Sequence, residues 1–471
     1  MHSPSEESCP VDRLTPYANN ARTHSKRQIK QIAESIKRFG FCNPVLIADD
    51  HSIIAGHGRV EAAKLIGMTE VPVRRLSHLS RDEIRAYILA DNKLAENAGW
   101  DRELLAIEIQ GLIDLDFDIE VLGFSTTEVD LIIDGEVPAD RKANEVLDEP
   151  EPVRDGPAIT RPGDIWQLGP HRLLCADARS PDEIGRLLDG ECATMMFTDP
   201  PYNVPIDGHV SGLGRIKHRE FELASGEMDK AAFTEFLQQT LGAAASHLTD
   251  GAIAYVCMDW RHMRELLDAG HAVFDELKNL CVWNKTNGGM GSFYRSKHEL
   301  VFVFKKGRAP HINNFGLGDT GRYRTNVWDY PGISSLGTSR NEELAMHPTV
   351  KPVAMVVDAI RDCSRRGDVI LDIFGGSGST LIAAEQCGRS ARLVELDPLY
   401  CDTIIRRFQR ITGEQVHIVG MGLPFAEVAA ARSKEPERAS LAGALEPQLN
   451  LAVGGSDSAA SSARLQERGL V

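Results

Sequence analysis

The apolar positions change period several times along the first hundred residues. Between residues 28 and 39, Ile29, Ile32, Ile36 and Phe39 fall at helical spacing and Gly40 follows, which predicts an amphipathic helix with a glycine stop. Residues 44–47 and 52–54 are short apolar runs around Asp49-Asp50 and read as strands. Residues 60–66 form a helix-favouring run, residues 71–73 a further short strand, and helical patterns continue to about residue 133. Residues 137–160 are acidic and proline-rich without an apolar period, which predicts a linker. From residue 161 to about 425 the pattern alternates between strand and helix. The apolar strand candidates are 171–176, 193–197, 252–258, 300–304, 369–373 and 391–396. That alternation predicts a mostly parallel sheet covered by helices. Residues 426–471 turn to Ala, Ser, Gly, Glu and Arg and read as a disordered tail.

Length and composition narrow this picture only a little. A chain of 471 residues has room for two or three domains, and 42% hydrophobic with 25% charged residues fits neither a membrane protein nor a wholly disordered one. No apolar run approaches the ~20 residues of a membrane helix, and residues 1–11 lack the apolar core of a signal peptide. Nine cysteines are scattered without a Cys-x-x-Cys pair or metal-ligand spacing, so reduced thiols in a cytoplasmic protein, and no metal, are expected. The net charge of −16 is regional: 17 acids against 4 bases lie between Asp101 and Asp155. The rest is near balance and free to carry local basic surfaces.

Two segments carry candidate chemistry. In the first, a strand-like run ends at Asp372 and is followed by Ile373-Phe374-Gly375-Gly376-Ser377-Gly378 and a helix-forming stretch. Glycines without Cβ let a ligand lie against the backbone, and the helix start behind them offers free N–H groups. The next strand candidate reaches Glu395, 17 residues after Gly378, where an acid can accept hydrogen bonds from ribose hydroxyls. The absence of a Gly-Lys-Ser/Thr sequence argues against a triphosphate P-loop. The same residues also suit a tight strand–helix turn with a surface glutamate.

In the second, an apolar strand ends in Asp199-Pro200-Pro201-Tyr202. Consecutive prolines fix φ and leave carbonyls without matching donors. Such a turn can aim the Asp199 carboxylate and the Pro200 carbonyl at one NH₂ group. An exocyclic base amine is a poor nucleophile, and two acceptors on its hydrogens stabilise the positive charge that develops as a methyl group transfers. Tyr202 can stack on an extruded base.

Together the two segments resemble the amino-DNA methyltransferases of the N-4/N-6 family, over roughly residues 161–424. Pro162-Gly163-Asp164, the run from His171 to Asp177, Trp283-Asn284-Lys285, His298-Glu299 and the run His347-Pro348-Thr349-Val350-Lys351-Pro352 add to the likeness. The catalytic motif precedes the cofactor motif, as in the permuted β group. The resemblance implies an α/β, Rossmann-like S-adenosylmethionine-dependent methyltransferase sheet acting on double-stranded DNA. It also implies catalytic roles for Asp199, Pro200, Pro201 and Tyr202. Asp372, Phe374, Gly376 and Gly378 would line the methionine side of S-adenosylmethionine, with Thr349 and Lys351 nearby; Glu395 would hold the ribose and Asp177 the adenine amine. Asp at 199 favours N6 of adenine over N4 of cytosine, which stays the alternative. Target recognition would fall at about 306–346. Arg215, Lys217, His218, Arg219, Lys306, Arg308, Arg322, Arg324 and Arg340 are candidate DNA contacts on loops or simply solvated charges. The family includes restriction–modification enzymes.

Residues 10–100 resemble the ParB/sulfiredoxin-like fold through Asn43-Pro44, Gly56-His57-Gly58-Arg59 and the run from Glu61 to Gly67. The resemblance implies a smaller α+β domain over 10–136 with a helical extension, then the 137–160 linker. Gly56–Arg59 at a helix start can seat a phosphate or nucleotide, although His57 and Gly58 depart from the pattern of partition proteins. A homodimer is compatible with this reading. A non-catalytic ParB-like adaptor is the competing class, and would call for a damaged catalytic or cofactor motif; neither is damaged. An RNA or protein methylase usually shows Asn-Pro-Pro-Tyr after the glycine motif, unlike this chain.

Overall fold

The computed structural model describes residues 6–115, 117–134, 147–149, 151–154, 156–204, 226–285, 293–315, 324–332 and 350–433. Near the N-terminus, β1 (Glu6–Pro10), β2 (Val45–Ile47), β3 (Ile53–Ala55) and β4 (Glu70–Arg75) form a mixed sheet in the order β1-β4-β2-β3. Helices α1 (Lys26–Phe39) and α2 (His57–Leu65) belong to the same unit. Ser25 caps α1 by accepting from the Gln28 N–H, and Gly40 ends it at φ 82°. Strand β1 lies in a polar stretch with no apolar alternation, and its pairing with β4 is long-range, so no local pattern signals it. Helices α3 (Arg81–Glu96), α4 (Arg102–Asp114) and α5 (Thr126–Asp134) follow.

A ten-stranded sheet dominates the rest. Its strands are β5 (Ile165–Leu168), β6 (His171–Cys175), β7 (Ala193–Thr198), β8 (Leu248–Met258), β9 (Glu276–Asn284), β10 (His298–Lys305), β11 (Val327–Asp329), β12 (Val369–Asp372), β13 (Ser390–Glu395) and β14 (Val416–Ile418). They lie in the order β11-β9-β10-β8-β7-β12-β13-β6-β5-β14. The central run β8-β7-β12-β13-β6 is parallel, while β10 is antiparallel to both β8 and β9. Helices α6 (Pro181–Leu188), α7 (Lys230–Ala245) and α8 (Met263–Val273) cover one face, and α9 (Val353–Cys363), α10 (Ser379–Gln386) and α11 (Pro398–Thr412) the other. Strand β7 shows why its residues are apolar throughout: Met195 and Phe197 enter one core, Ala193 and Met196 the opposite one.

Two connections tie the N-terminal part to this body. Asp130 of α5 accepts from Arg389 Nη1 at 3.1 Å and Nη2 at 3.0 Å, with Arg366 on the same carboxylate, all in buried or nearly buried surroundings. Described residues of the acidic 137–160 stretch form a strap docked on the sheet's helices. The Leu147 carbonyl accepts from Arg407 at 2.7 Å, Asp148 Oδ1 accepts from the Val353 N–H at 2.7 Å, and Asp402 accepts from the Ile159 and Thr160 N–H groups.

At the other end, residues 426–432, read as tail from their alanine-rich composition, instead belong to helix α12 (Phe425–Arg432). Phe425 and Val428 are buried and Arg432 pairs with Asp164, long-range contacts that composition cannot signal. All nine cysteines are free and seven are buried. No described helix is long and apolar enough to cross a membrane.

Candidate active site

From β12 the chain crosses through α10 to β13, whereas from β7 it crosses through α7 to β8 on the other side. The neighbouring carboxyl ends of β7 and β12 therefore form a topological switch point, where an open α/β sheet leaves a crevice. The side chains at those two ends touch: Thr198 Oγ1 donates to Asp372 Oδ1 at 2.9 Å.

On the β12 side, Gly376 and Gly378 take left-handed backbone angles, φ 52° and 82°. A Cβ on Gly378 would lie 3.2 Å from Ile404 Cγ2, so the loop's close seating on α11 also requires glycine. Gly378 gives α10 no side-chain cap. Arg407, fully buried, braces the loop from behind by donating to the Ser377 carbonyl at 2.8 Å. Glu395 Oε2 accepts from the Gly376 N–H at 2.7 Å and Oε1 from the Asp397 N–H at 2.9 Å. Burial pushes the carboxyls of Asp372 and Glu395 up to about 7 each. No cation among the described residues forms an ion pair with either. A glycine cradle with two desolvated acids suits a ligand that brings hydroxyl donors and positive charge, as S-adenosylmethionine does. The residues present fit that cofactor.

On the β7 side, four charges and a phenol converge. Lys351, 4% exposed, reaches Asp199 Oδ2 at 2.5 Å, Glu299 Oε2 at 3.0 Å and the Tyr202 hydroxyl at 3.2 Å. Tyr202 Oη donates to Asp199 Oδ1 at 2.7 Å, and Lys285 pairs with Glu299. The lysine ammonium also lies over the rings of Tyr202 and Trp283, at 5.4 and 5.9 Å. Burial pushes the Asp199 carboxyl up, with Lys351 pulling against it. Burial acts on Glu299 the same way, but Lys351 and Lys285 outweigh it and hold that carboxyl at about 2. Burial would discharge Lys351; the facing carboxylates override it and raise its pKa. Burial also raises the Tyr202 hydroxyl, so it stays protonated and donates.

The structure thus gathers Asp199, Tyr202 and Lys351 into one cluster and Asp372, Phe374, Gly376, Gly378 and Glu395 beside it. Lys351, expected with the cofactor's methionine part, sits against Asp199 and Tyr202. Asp177 is held bidentately by Arg179. Thr349 lies outside the described residues, as do residues 205–225 and most of 306–346. Arg324, a candidate DNA contact, is instead 17% exposed and paired with Asp358 and Asp362. Its cation is consumed holding the strand before Trp328, which is buried. Sequence reasoning noted Glu299 and Lys285 only as family-like runs. A readable signal existed: the Glu299 carboxylate directly precedes an apolar run, residues 300–304, that is buried on both faces. In the N-terminal part, Gly56 (φ 104°) starts α2, and Arg59 donates to the Asn43 carbonyl at 3.1 Å. Arg59 lines a cavity of 530 Å³ with Gln28, Ser35 and Asn43.

The switch-point crevice, glycine loop and acid-terminated strand define a Rossmann-like methyltransferase architecture. Residues 193–406 match the family model described as DNA methylase, residues 2–93 the ParB N-terminal domain, and residues 103–162 the ParB-methyltransferase HTH domain. Residues 193–406 thus carry an N6/N4 DNA methylase domain, with a ParB-like N-terminal part fused to it. The chain is 55% identical over 74 residues to the ParB-like nuclease domain-containing protein YnaK of Escherichia coli (strain K12), covering 16% of this chain and 85% of YnaK. It is 25% identical over 234 residues to the Type II methyltransferase M2.MboI of Moraxella bovis, covering 46% and 81%. The M1.HpyAVI–SAM complex aligns at 18% identity and TM-score 0.37, covering 50% of this chain and 97% of that one.

Proposed function

We propose that this DNA methyltransferase transfers a methyl group from S-adenosylmethionine to the exocyclic N6 of adenine at specific sites in duplex DNA. The observation that carries the reading is the placement of Asp199, at the end of β7, beside the glycine-loop crevice through the Thr198–Asp372 contact. Bound S-adenosylmethionine supplies an electrophilic methyl group. Asp372, Phe374, Gly376 and Gly378 line its methionine side, Glu395 accepts from its ribose and Asp177 faces its adenine amine.

Asp199 and the Pro200 carbonyl accept the two hydrogens of the target amine, which keeps its lone pair directed at the methyl group. The cluster already accommodates a positively charged nitrogen, that of Lys351, which supports its ability to stabilise the charge developing on the amine. Glu299 lies within reach of the same ammonium, so Lys351 can lean on Glu299 while Asp199 turns to the amine. Pro201 stiffens the turn and Tyr202 stacks on the extruded base. Asp at position 199 supports adenine. Labelled methyl transfer to unmethylated DNA, followed by nucleoside analysis, tests the reading: N6-methyladenine is expected, and N4-methylcytosine would overturn the base assignment. The Arg59 cavity supports a phosphate or nucleotide ligand on the N-terminal part, testable by titrating nucleoside triphosphates against the wild type and Arg59→Ala.

A further inference from the structure

The connection between β9 and β10 carries the two most exposed large apolar side chains among the described residues, Phe293 at 86% and Tyr294 at 82%. Their rings meet edge to face with centroids 4.4 Å apart, so they form one aromatic projection. The β9–β10 ladder places it. Asn284 faces His298, Glu299 faces Trp283, and the Lys285 N–H donates to the Lys297 carbonyl at 2.8 Å. Residues 293 and 294 therefore lie beyond the ladder, on the same end of the sheet as the catalytic cluster. Glu299, whose carboxylate is 3.2 Å from the Tyr202 hydroxyl, follows Tyr294 by five residues, at most ~17 Å of chain.

The charges around this projection suit a polyanion. Arg295 and Lys297 are exposed on the following strand entry. On the neighbouring β8 end, Trp260 is half exposed, with the Arg261 guanidinium 5.1 Å from its ring and paired with Asp259 at 2.9 Å. Exposed aromatics interleaved with cations at a catalytic rim are the pattern of a nucleic-acid surface.

We propose that Phe293 and Tyr294 form a wedge that enters the duplex and holds the gap left when the target nucleotide turns into the crevice, with Arg295 and Lys297 on flanking phosphates. This rests on the reading of the protein as a DNA base methyltransferase. Extrusion costs unpairing and unstacking, least for a base already mispaired, and apolar side chains inserted at a base step offset the lost stacking.

The test uses the full chain and a duplex carrying the sequence that methylation mapping of cells expressing the protein returns. Phe293→Ala/Tyr294→Ala should lower kcat/KM on the paired duplex by about 10- to 100-fold. On the same duplex with the target base mispaired, it should stay within about threefold of wild type. S-adenosylmethionine affinity should not change, and 2-aminopurine at the target position should lose its fluorescence rise on binding. Phe293→Trp should retain activity. Equal loss on paired and mispaired duplexes, or no loss on either, would overturn the wedge. If the wild type methylates no DNA, the enzymatic reading fails first; if it does and the variant behaves like it, only the wedge fails.

Discussion

Two acidic neighbourhoods lie side by side at the carboxyl edge of the large sheet, and they are built on opposite electrostatic plans. Asp199 and Glu299 share Lys351, and Glu299 also pairs with Lys285, so a largely buried cluster of four charges is internally balanced. Asp372 and Glu395 are also desolvated but rest on hydroxyls and backbone N–H groups, which leaves both near a pKa of about 7. The first arrangement is complete without a ligand and can exchange one cationic nitrogen for another. The second has donors but no counter-charge among the described residues, which a cationic ligand can bring. Proximity on the sheet thus does not imply shared chemistry.

The largest effect should come from removing the acceptor that separates the two. Asp199→Ala is expected to lower methyl transfer by about 10³-fold while cofactor titration stays near wild type; retained transfer would sink the catalytic assignment. Lys351→Met should act on stability as well as rate. It strands Asp199 and leaves Glu299 with Lys285 alone, and breaking such a desolvated pair costs about 3–5 kcal/mol, visible in denaturant unfolding. Glu395→Gln keeps the shape but weakens the acceptor. Cofactor affinity should drop about tenfold, with little loss of stability because no ion pair is broken.

The smallest effect is the most diagnostic. A carboxyl raised to about 7 in the folded state binds more protons than the unfolded chain between pH 4.5 and 7. Glu395 therefore costs stability as pH rises through that window, whereas ribose hydroxyls need its ionised form, so cofactor affinity should rise with pH over the same range. Titrations at pH 5.5 and 8 should show this trend in the wild type and a flatter one in Glu395→Gln. An identical slope in both would place the titrating group elsewhere.

The cofactor side was legible from the sequence because it is local: strand, Asp372, glycines, helix and Glu395 follow one another within one βαβ unit. The central strands were legible because both faces are buried, so their apolar runs are unbroken. Strand β9 is hard to read because its apolar run, residues 280–283, is only four residues long, follows Glu276, Lys278 and Asn279, and is only partly buried. The lysine–carboxylate cluster could not be read as a unit. Lys351 and Asp199 are 152 positions apart, and only the sheet order brings them within 2.5 Å. Arg324 misled for a related reason: a cation among glycines and aromatics resembles a surface contact until its carboxylates, on α9, are seen.

The strap also decides where the enzyme can be cut. Pro352 offers no side-chain cap to α9, and Asp148 serves instead from 205 positions upstream. The Leu147 carbonyl likewise accepts from Arg407, whose guanidinium supports the glycine loop. An excised catalytic fragment that starts where the strand–helix alternation starts, at residue 161, would leave a helix uncapped and a buried cation short of an acceptor. One that starts at residue 147 keeps both, and should express as a folded, cofactor-binding protein where the fragment from residue 161 does not.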